Sequence, residues 1–284
     1  MFQTNDVYNT NRQSTVVWRR KRRRQRIRKI KKIILCIGTV FCICGGIIFL
    51  GKCKLNEKWS ETEAGEALAE EFLEKQRNNP NGVYPQELQE MLERNPEVYD
   101  FVTGYPERDS YQGKAIDLSG EVKPGQVPLF LQWDKRWGYD SYGSEMIAVA
   151  GCGPTCMSMA YVYLTENMDK NPREMAAFAH DNGYDTEAGT SWSFFTDGAE
   201  QLGLKGAEIG LDERKMKEVL DEGKVIICSM RPGDFTTTGH IILIRGYEEE
   251  GFLVNDPNSK ENSKKHWEYD TLSSQIKCLW SVGR

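Results

Sequence analysis

Gly151-Cys152-Gly153-Pro154-Thr155-Cys156-Met157-Ser158-Met159-Ala160-Tyr161-Val162-Tyr163-Leu164 is the stretch on which the fold reading turns. Met157, Ala160, Tyr161 and Leu164 recur at i, i+3, i+4 and i+7, which predicts a helix starting at about Pro154, where the fixed φ of proline suits a first turn. Cys152 then stands at the mouth of the helix. Unpaired N–H groups and the positive end of the helix dipole favour an anion there, so its sulfur is a candidate nucleophile. Gly151 and Gly153 on either side allow backbone and substrate to approach closely. Cys156, one turn inside, reads as a small core residue.

A nucleophilic thiol needs a base, and the chain has three histidines. His180 ends a predicted helix, Pro172 to His180, where a cation on the C-terminal dipole is a sufficient reason for it. His266 follows Lys264-Lys265 in a polar stretch and reads as solvated. His240 opens an apolar strand, Ile241 to Arg245, that turns through Glu248-Glu249-Glu250-Gly251 into Phe252 to Asn255. An antiparallel hairpin of this kind returns Asp256 to the end where His240 begins. The carboxylate can orient the imidazole and the imidazole can take the thiol proton, a nucleophile, base and orienter in series. Asp256-Pro257 is also an ordinary turn pair, and one residue can serve both ends. Upstream, the side-chain amide of Gln132 can join the Cys152 N–H as an oxyanion donor.

Taken in order, Gln132, Gly151-Cys152-Gly153-Pro154-Thr155, Gly239-His240 and Asn255-Asp256-Pro257 resemble the C39-like cysteine peptidases, relatives of the papain-fold enzymes that trim double-glycine leaders from bacteriocin precursors. The resemblance spans about residues 125–284. It implies an α+β, papain-like domain in which a helical part carries the cysteine and an antiparallel sheet carries the histidine and aspartate. It assigns Cys152 as nucleophile, His240 as base, Asp256 as orienter and Gln132 as oxyanion donor. Substrate contacts are expected at Gly151, Gly153, Gly239 and at Thr190, Ser191 and Trp192, which lie in a segment like the one beside the cleft of such domains. Gln132 precedes Cys152 by twenty residues, farther than in the leader-trimming enzymes, so an insertion must loop out between them. No GxxxxGK[ST] phosphate loop occurs, so an exporter with its own ATPase is not expected.

Composition divides the chain. Apolar residues make up 39% and charged residues 28%, with mean hydropathy −0.59, the profile of a folded domain rather than a multi-span or disordered chain. Residues 1–32 hold twelve Lys/Arg and one acid, whereas the rest holds 25 bases and 41 acids. The basic run Arg19 to Lys32 meets Ile33 to Gly51, nineteen residues without a charged side chain. As a helix that run is about 28 Å long, close to the roughly 30 Å of a hydrocarbon core, and a single transmembrane helix is expected at 33–51. The run lacks the small-residue cleavage site of a signal peptide, and Lys52 before Cys53 excludes a lipid-attachment signal, so an uncleaved anchor is expected. The dense basic block stays cytoplasmic by the positive-inside rule, which places everything after Gly51 outside. Anionic lipid headgroups are its expected partners, with no nucleic acid.

Of eight cysteines, Cys36, Cys42 and Cys44 lie in the apolar run and Cys53 at its edge. Cys152, Cys156, Cys228 and Cys278 have no CxxC or paired-histidine spacing, so structural zinc is not expected, and a Cys228–Cys278 bridge is left open. The stretch from Asp256 to Glu268 lacks the glycine and bidentate glutamate of a calcium loop. No metal and no cofactor are expected. Residues 52–124 read as a helical stalk, with apolar stripes at Leu88, Met91, Leu92 and at Val98, Phe101, Val102. The expectation is therefore a cytoplasmic tail (1–32), a membrane helix (33–51), a helical stalk or linker (52–124) and a peptidase domain (125–284), a membrane-anchored extracytoplasmic cysteine peptidase acting on a peptide or protein. Two competitors share the fold: an idle module that binds a peptide or wall polymer, and a peptidoglycan amidase or endopeptidase.

Overall fold

The computed structural model describes residues 63–78, 83–187 and 189–284. The basic tail, the apolar run 33–51 and Cys53 lie outside the described residues, and no helix among the described residues is long and apolar enough to cross a membrane. The chain divides into Met1–Ala64 and Gly65–Arg284, and the site described below lies in the second unit.

In chain order the helices are α1 (Glu63–Arg77), α2 (Gln86–Arg94), α3 (Tyr99–Thr103), α4 (Ile147–Ala150), α5 (Cys152–Thr165), α6 (Pro172–Asp181), α7 (Asp197–Gln201), α8 (Glu213–Asp221), α9 (Lys260–Lys264) and α10 (Tyr269–Gln275). Two short hairpins, β1 (Ser141–Tyr142) with β2 (Glu145–Met146) and β3 (Asp185–Thr186) with β4 (Gly189–Thr190), stand apart from the main sheet. That sheet contains β5 (Lys205–Glu208), β6 (Val225–Met230), β7 (His240–Glu248), β8 (Gly251–Asn255), β9 (His266–Trp267) and β10 (Ile276–Gly283), antiparallel throughout, in the order β5-β10-β6-β7-β8-β9.

The sheet is sandwiched because its central strands are apolar on both faces. All six residues of β6 (VIICSM) are buried, the pattern of a strand covered on each side. Val225, Ile227, Ile241 and Leu243 pack with Cys156, Met157, Met159 and Ala160 of α5 on one face. Ile226, Cys228, Ile242 and Ile244 pack with Met216 and Val219 of α8 on the other. The expected hairpin forms, with β7 and β8 joined through Glu249-Glu250 and registered at Leu243↔Asn255 and Ile244↔Val254. A register shift between Ile244 and Gly246 accommodates one extra residue in β7. The open question about Cys228 and Cys278 is settled by this register. Cys278 pairs with Ser229 and Leu279 with Cys228, so the two sulfurs face opposite cores, and both are free.

The segment expected as a stalk, 52–124, is in its described part no free spacer. Its apolar stripes occur as read, but Leu88, Leu92, Val98, Phe101 and Val102 are buried with Trp133, Tyr139 and Ala148 in one core. The Tyr139 ring stacks on Phe101 at 4.3 Å and its hydroxyl donates to the Phe101 carbonyl at 2.6 Å. The physical reason is simple: an apolar stripe needs a cover, and the loop ahead of Cys152 supplies aromatic rings. That loop is the insertion foreseen between Gln132 and Cys152. It runs through a turn at Asp134–Gly138, the β1–β2 hairpin and α4, and is tied back by Ala148 N–H to the Gly138 carbonyl at 3.0 Å. The Arg173 guanidinium pins it from α6, donating to Asp140 at 2.5 Å and to the Arg136 carbonyl.

If α2 is an integral packing element, Leu92→Ala should cost about 2–5 kcal/mol, the usual effect of deleting a buried leucine side chain. Chemical unfolding monitored by tryptophan fluorescence would show it as a lower midpoint. An unchanged midpoint would mean that α2 is not packed on the domain.

Candidate active site

Helix α5 begins at Cys152 itself, with Gly151 as N-cap. The Thr155 N–H already reaches the Gly151 carbonyl at 3.0 Å and Pro154 has no N–H, so the helix start leaves the Cys152 and Gly153 N–H groups without an intrahelical acceptor. The two glycines owe their identity to protein packing. A Cβ at Gly151 would lie 2.5 Å from the Ile147 carbonyl oxygen, and one at Gly153 would lie 2.4 Å from Thr190 Oγ1. Both are buried, so the structure fills the space that was expected to admit substrate with Ile147 and Thr190.

His240 is the first residue of β7, opposite Met230, and is buried. Its Nε2 lies 2.7 Å from Asp256 Oδ1. Cys152 lies beside the same imidazole: the two residues line both adjoining cavities, and the sulfur acts on the ring strongly enough to help raise its pKa. Three residues separated by 88 and 16 positions thus converge. Burial by itself pushes the His240 pKa down, but the charge and hydrogen bond of Asp256, together with the neighbouring Cys152 sulfur, outweigh it and raise it to about 10. At neutral pH the imidazole of this pair therefore holds the proton.

Asp256 follows the end of β8 and is 1% exposed, so its charge must be met by protein groups. Oδ1 also accepts the Asn258 N–H at 2.8 Å, an Asx turn, and Oδ2 accepts the Asn262 side-chain amide at 2.9 Å. Its own N–H donates to Ser263 Oγ at 2.9 Å. The turn role and the His240 contact coexist in one carboxylate. Asn258, Asn262 and Ser263 were not singled out from sequence; the Asx-turn spacing of Asp256-Pro257-Asn258 was the signal for the first, and the other two had none.

Gln132 is buried beside Cys152, in the same cavity wall. Its amide donates to the Ala148 carbonyl at 2.6 Å and its backbone N–H to the Pro257 carbonyl at 2.8 Å. A primary amide has two N–H donors, so one remains for the cleft. Two cavities flank Cys152 and His240, of about 300 and 860 Å³, in the range of small-molecule and peptide side-chain sites. The larger is lined by Thr190, Ser191, Trp192 and Gly239, four of the expected contacts. Trp192 is 41% exposed, with Lys277 Nζ 5.0 Å from its ring centre, whereas Trp133, Trp137, Trp267 and Trp280 are buried. Of the other histidines, His180 bonds Asp185 at 3.1 Å and His266 bonds Glu248 at 2.7 Å. Glu248, Glu250 and His266 are the one group among the described residues with metal-ligand spacing, all exposed and at the far end of β7 from His240.

Residues 125–281, which hold Gln132, Cys152, His240 and Asp256, match the Peptidase_C39 like family. The chain belongs to this family. Its C39-like domain is a peptidase-type domain of mixed helix and sheet, and the family implies a peptide or protein substrate. Among solved structures, the chain is similar to the peptidase domain of Streptococcus ComA, a bifunctional ABC transporter of a quorum-sensing pathway, at 15% identity and TM-score 0.39, over 55% of this chain and 96% of that one. It is also similar to a C39-like peptidase of Bacillus anthracis, at 16% identity and TM-score 0.35, over 56% of this chain and 96% of the other. No curated protein matches the chain.

The raised His240 pKa fixes the sign of a pH effect. An unfolded imidazole titrates near 6.5, so the stabilisation of protonated His240 is complete below about 6.5 and is lost as pH rises through about 10. Unfolding free energies measured from pH 6 to 10 should fall more steeply in the unsubstituted chain than in His240→Gln. Parallel curves would show that the imidazole is not stabilised as a cation.

Proposed function

We propose that this chain is a membrane-anchored, extracytoplasmic cysteine peptidase in which Cys152, His240 and Asp256 form a relay with Gln132 as oxyanion donor. The observation that carries the reading is the meeting of the three residues in one cleft: His240 is bonded to Asp256 through Nε2, and Cys152 lines both cavities with it and helps raise its pKa. In the reaction, the sulfur attacks the scissile carbonyl carbon and the carbonyl electrons move onto oxygen. On this reading the Cys152 N–H and the second Gln132 side-chain N–H would stabilise that oxyanion, and fixed donors of this kind are among the largest contributions to such catalysis. His240 then gives its proton to the leaving nitrogen as the C–N bond breaks, which leaves a thioester. Water attacks the thioester, its proton passes to His240, and the acid departs as the sulfur is released. Asp256 keeps its charge throughout and holds the ring in place.

The anchor and the orientation rest on the sequence: nineteen uncharged residues directly after a basic block. On this reading 1–32 is a cytoplasmic tail against anionic headgroups, 33–51 spans the bilayer, and the C39-like domain lies outside.

Cys152→Ala should abolish hydrolysis of a peptide library and labelling by iodoacetamide at mild pH; labelling that survives or moves to Cys156 sinks the nucleophile assignment. Gln132→Ala should lower kcat by about 10²–10³-fold, the cost of one oxyanion donor. A purified chain that binds peptides yet turns none over would favour an idle module. The full chain should stay with membranes in alkaline carbonate and lose that property when 33–51 is deleted; retention after the deletion would overturn the anchor.

A further inference from the structure

The loop that carries Asp256 is fastened from outside the family-matched residues. Asn95 and Glu97 flank Pro96 at the start of the short turn between α2 and α3. The Asn95 side chain works in two directions. Its Oδ1 accepts the Glu97 N–H at 3.0 Å, and its Nδ2 donates to the Asn258 carbonyl at 2.7 Å. Glu97 then presents its carboxylate to the first turn of α9: Oε1 accepts from Ser259 Oγ at 2.8 Å and from the Glu261 N–H at 3.3 Å, and Oε2 accepts from the Lys260 N–H at 2.9 Å. These contacts join residues 162 to 164 positions apart. A carboxylate that accepts backbone N–H groups at a helix start is held by charge-assisted bonds as well as by the local dipole.

The residues so clamped are those that orient Asp256. The Asn258 N–H donates to Asp256 Oδ1, the Asn262 amide to Oδ2, Ser263 Oγ takes the Asp256 N–H, and Ser259 N–H donates to the Asp256 carbonyl at 3.2 Å. Asn258 to Ser263 therefore form a cradle around the carboxylate, and Asn95 and Glu97 grip its outer side. We propose that Asn95 and Glu97 are positioning residues of the active site: they fix the 258–261 turn, and through it the Asp256 carboxylate against His240 Nε2. The catalytic apparatus then extends back to α2, upstream of residue 125, and the C39-like core by itself lacks part of it. Met91 and Arg94 of α2 line the smaller cavity with Cys152, so the same segment also walls the cleft.

This rests on the relay reading, and the test separates the two. In the full chain labelled with ¹³C-histidine, the His240 resonance, assigned by its loss in His240→Gln, is titrated in Glu97→Ala, Glu97→Gln and Asn95→Ala. The expected result is a His240 pKa lowered by at least one unit in Glu97→Ala and Asn95→Ala, with Glu97→Gln intermediate because its amide oxygen still accepts one bond. Peptide hydrolysis should fall roughly tenfold in kcat with KM unchanged, as expected when a reacting group is misaligned while substrate binding is kept. Melting temperatures that fall while the His240 titration and kcat stay put would reduce Asn95 and Glu97 to structural contacts and overturn the proposal. If Glu97→Ala does not fold, Glu97→Gln and Asn95→Ala decide. A shifted titration in a chain that hydrolyses nothing leaves the positioning role standing and removes the peptidase reading.

Discussion

A buried carboxylate bonded at 2.7 Å to an imidazole at the cleft wall is the constraint around which this domain is arranged. Taking an aspartate to 1% exposure is expensive unless its oxygens are all engaged, and here they accept from His240, the Asn258 N–H and the Asn262 amide. Meeting that demand explains several features at once. The turn after β8 must curl back on itself, a short helix must follow it, and His240 must stand at the first position of a strand paired with the buried, largely apolar β6. The cost of burial is what makes the arrangement specific, because a half-satisfied version would be worse than none.

The helical half answers the same demand from the other side. The sulfur sits at the start of α5, whose interior residues fill the core against Ile241 and Leu243, and the Cys156 thiol donates to the Ile241 carbonyl at 3.5 Å, directly after His240. Burial pushes the Cys156 thiol well up, so it stays a neutral donor within the core. Gly153 is fixed by Thr190 pressing on the helix start, and the Thr190 hydroxyl lies 2.9 Å from the Tyr142 hydroxyl. The wall of the larger cavity is therefore braced on the same turn that carries Cys152.

How much of this could be read from the residues differs by scale. The helix after Cys152, the β7–β8 hairpin and the meeting of His240 with Asp256 follow from periodicity and turn signals, because each is a local pattern with one strong physical solution. The role of residues 65–124 did not follow. Their stripes were legible, yet a stripe does not name its cover, and the rings that cover it, Trp133 and Tyr139, read equally well as core of the domain. Gly151 and Gly153 misled for a related reason: glycine beside a nucleophile signals close approach, but the approaching atoms belong to Ile147 and Thr190. Asn262 and Ser263 carry no signature, because a side chain that satisfies a distant carboxylate looks like any polar loop residue until the chain is folded.

Gln132 joins the two halves through its own backbone and side chain. One end of this residue holds the Ala148 carbonyl just ahead of Cys152, and its N–H holds the Pro257 carbonyl, next to Asp256. Among descendants of this chain, insertions or deletions in the 133–147 excursion should be inherited at its exposed hairpin tip, Gly143-Ser144, and not at the buried Trp137, Tyr139 or Ile147. A change in the length of the turn at 257–259 has no such freedom, and lineages that carry one should show matching replacements at 132.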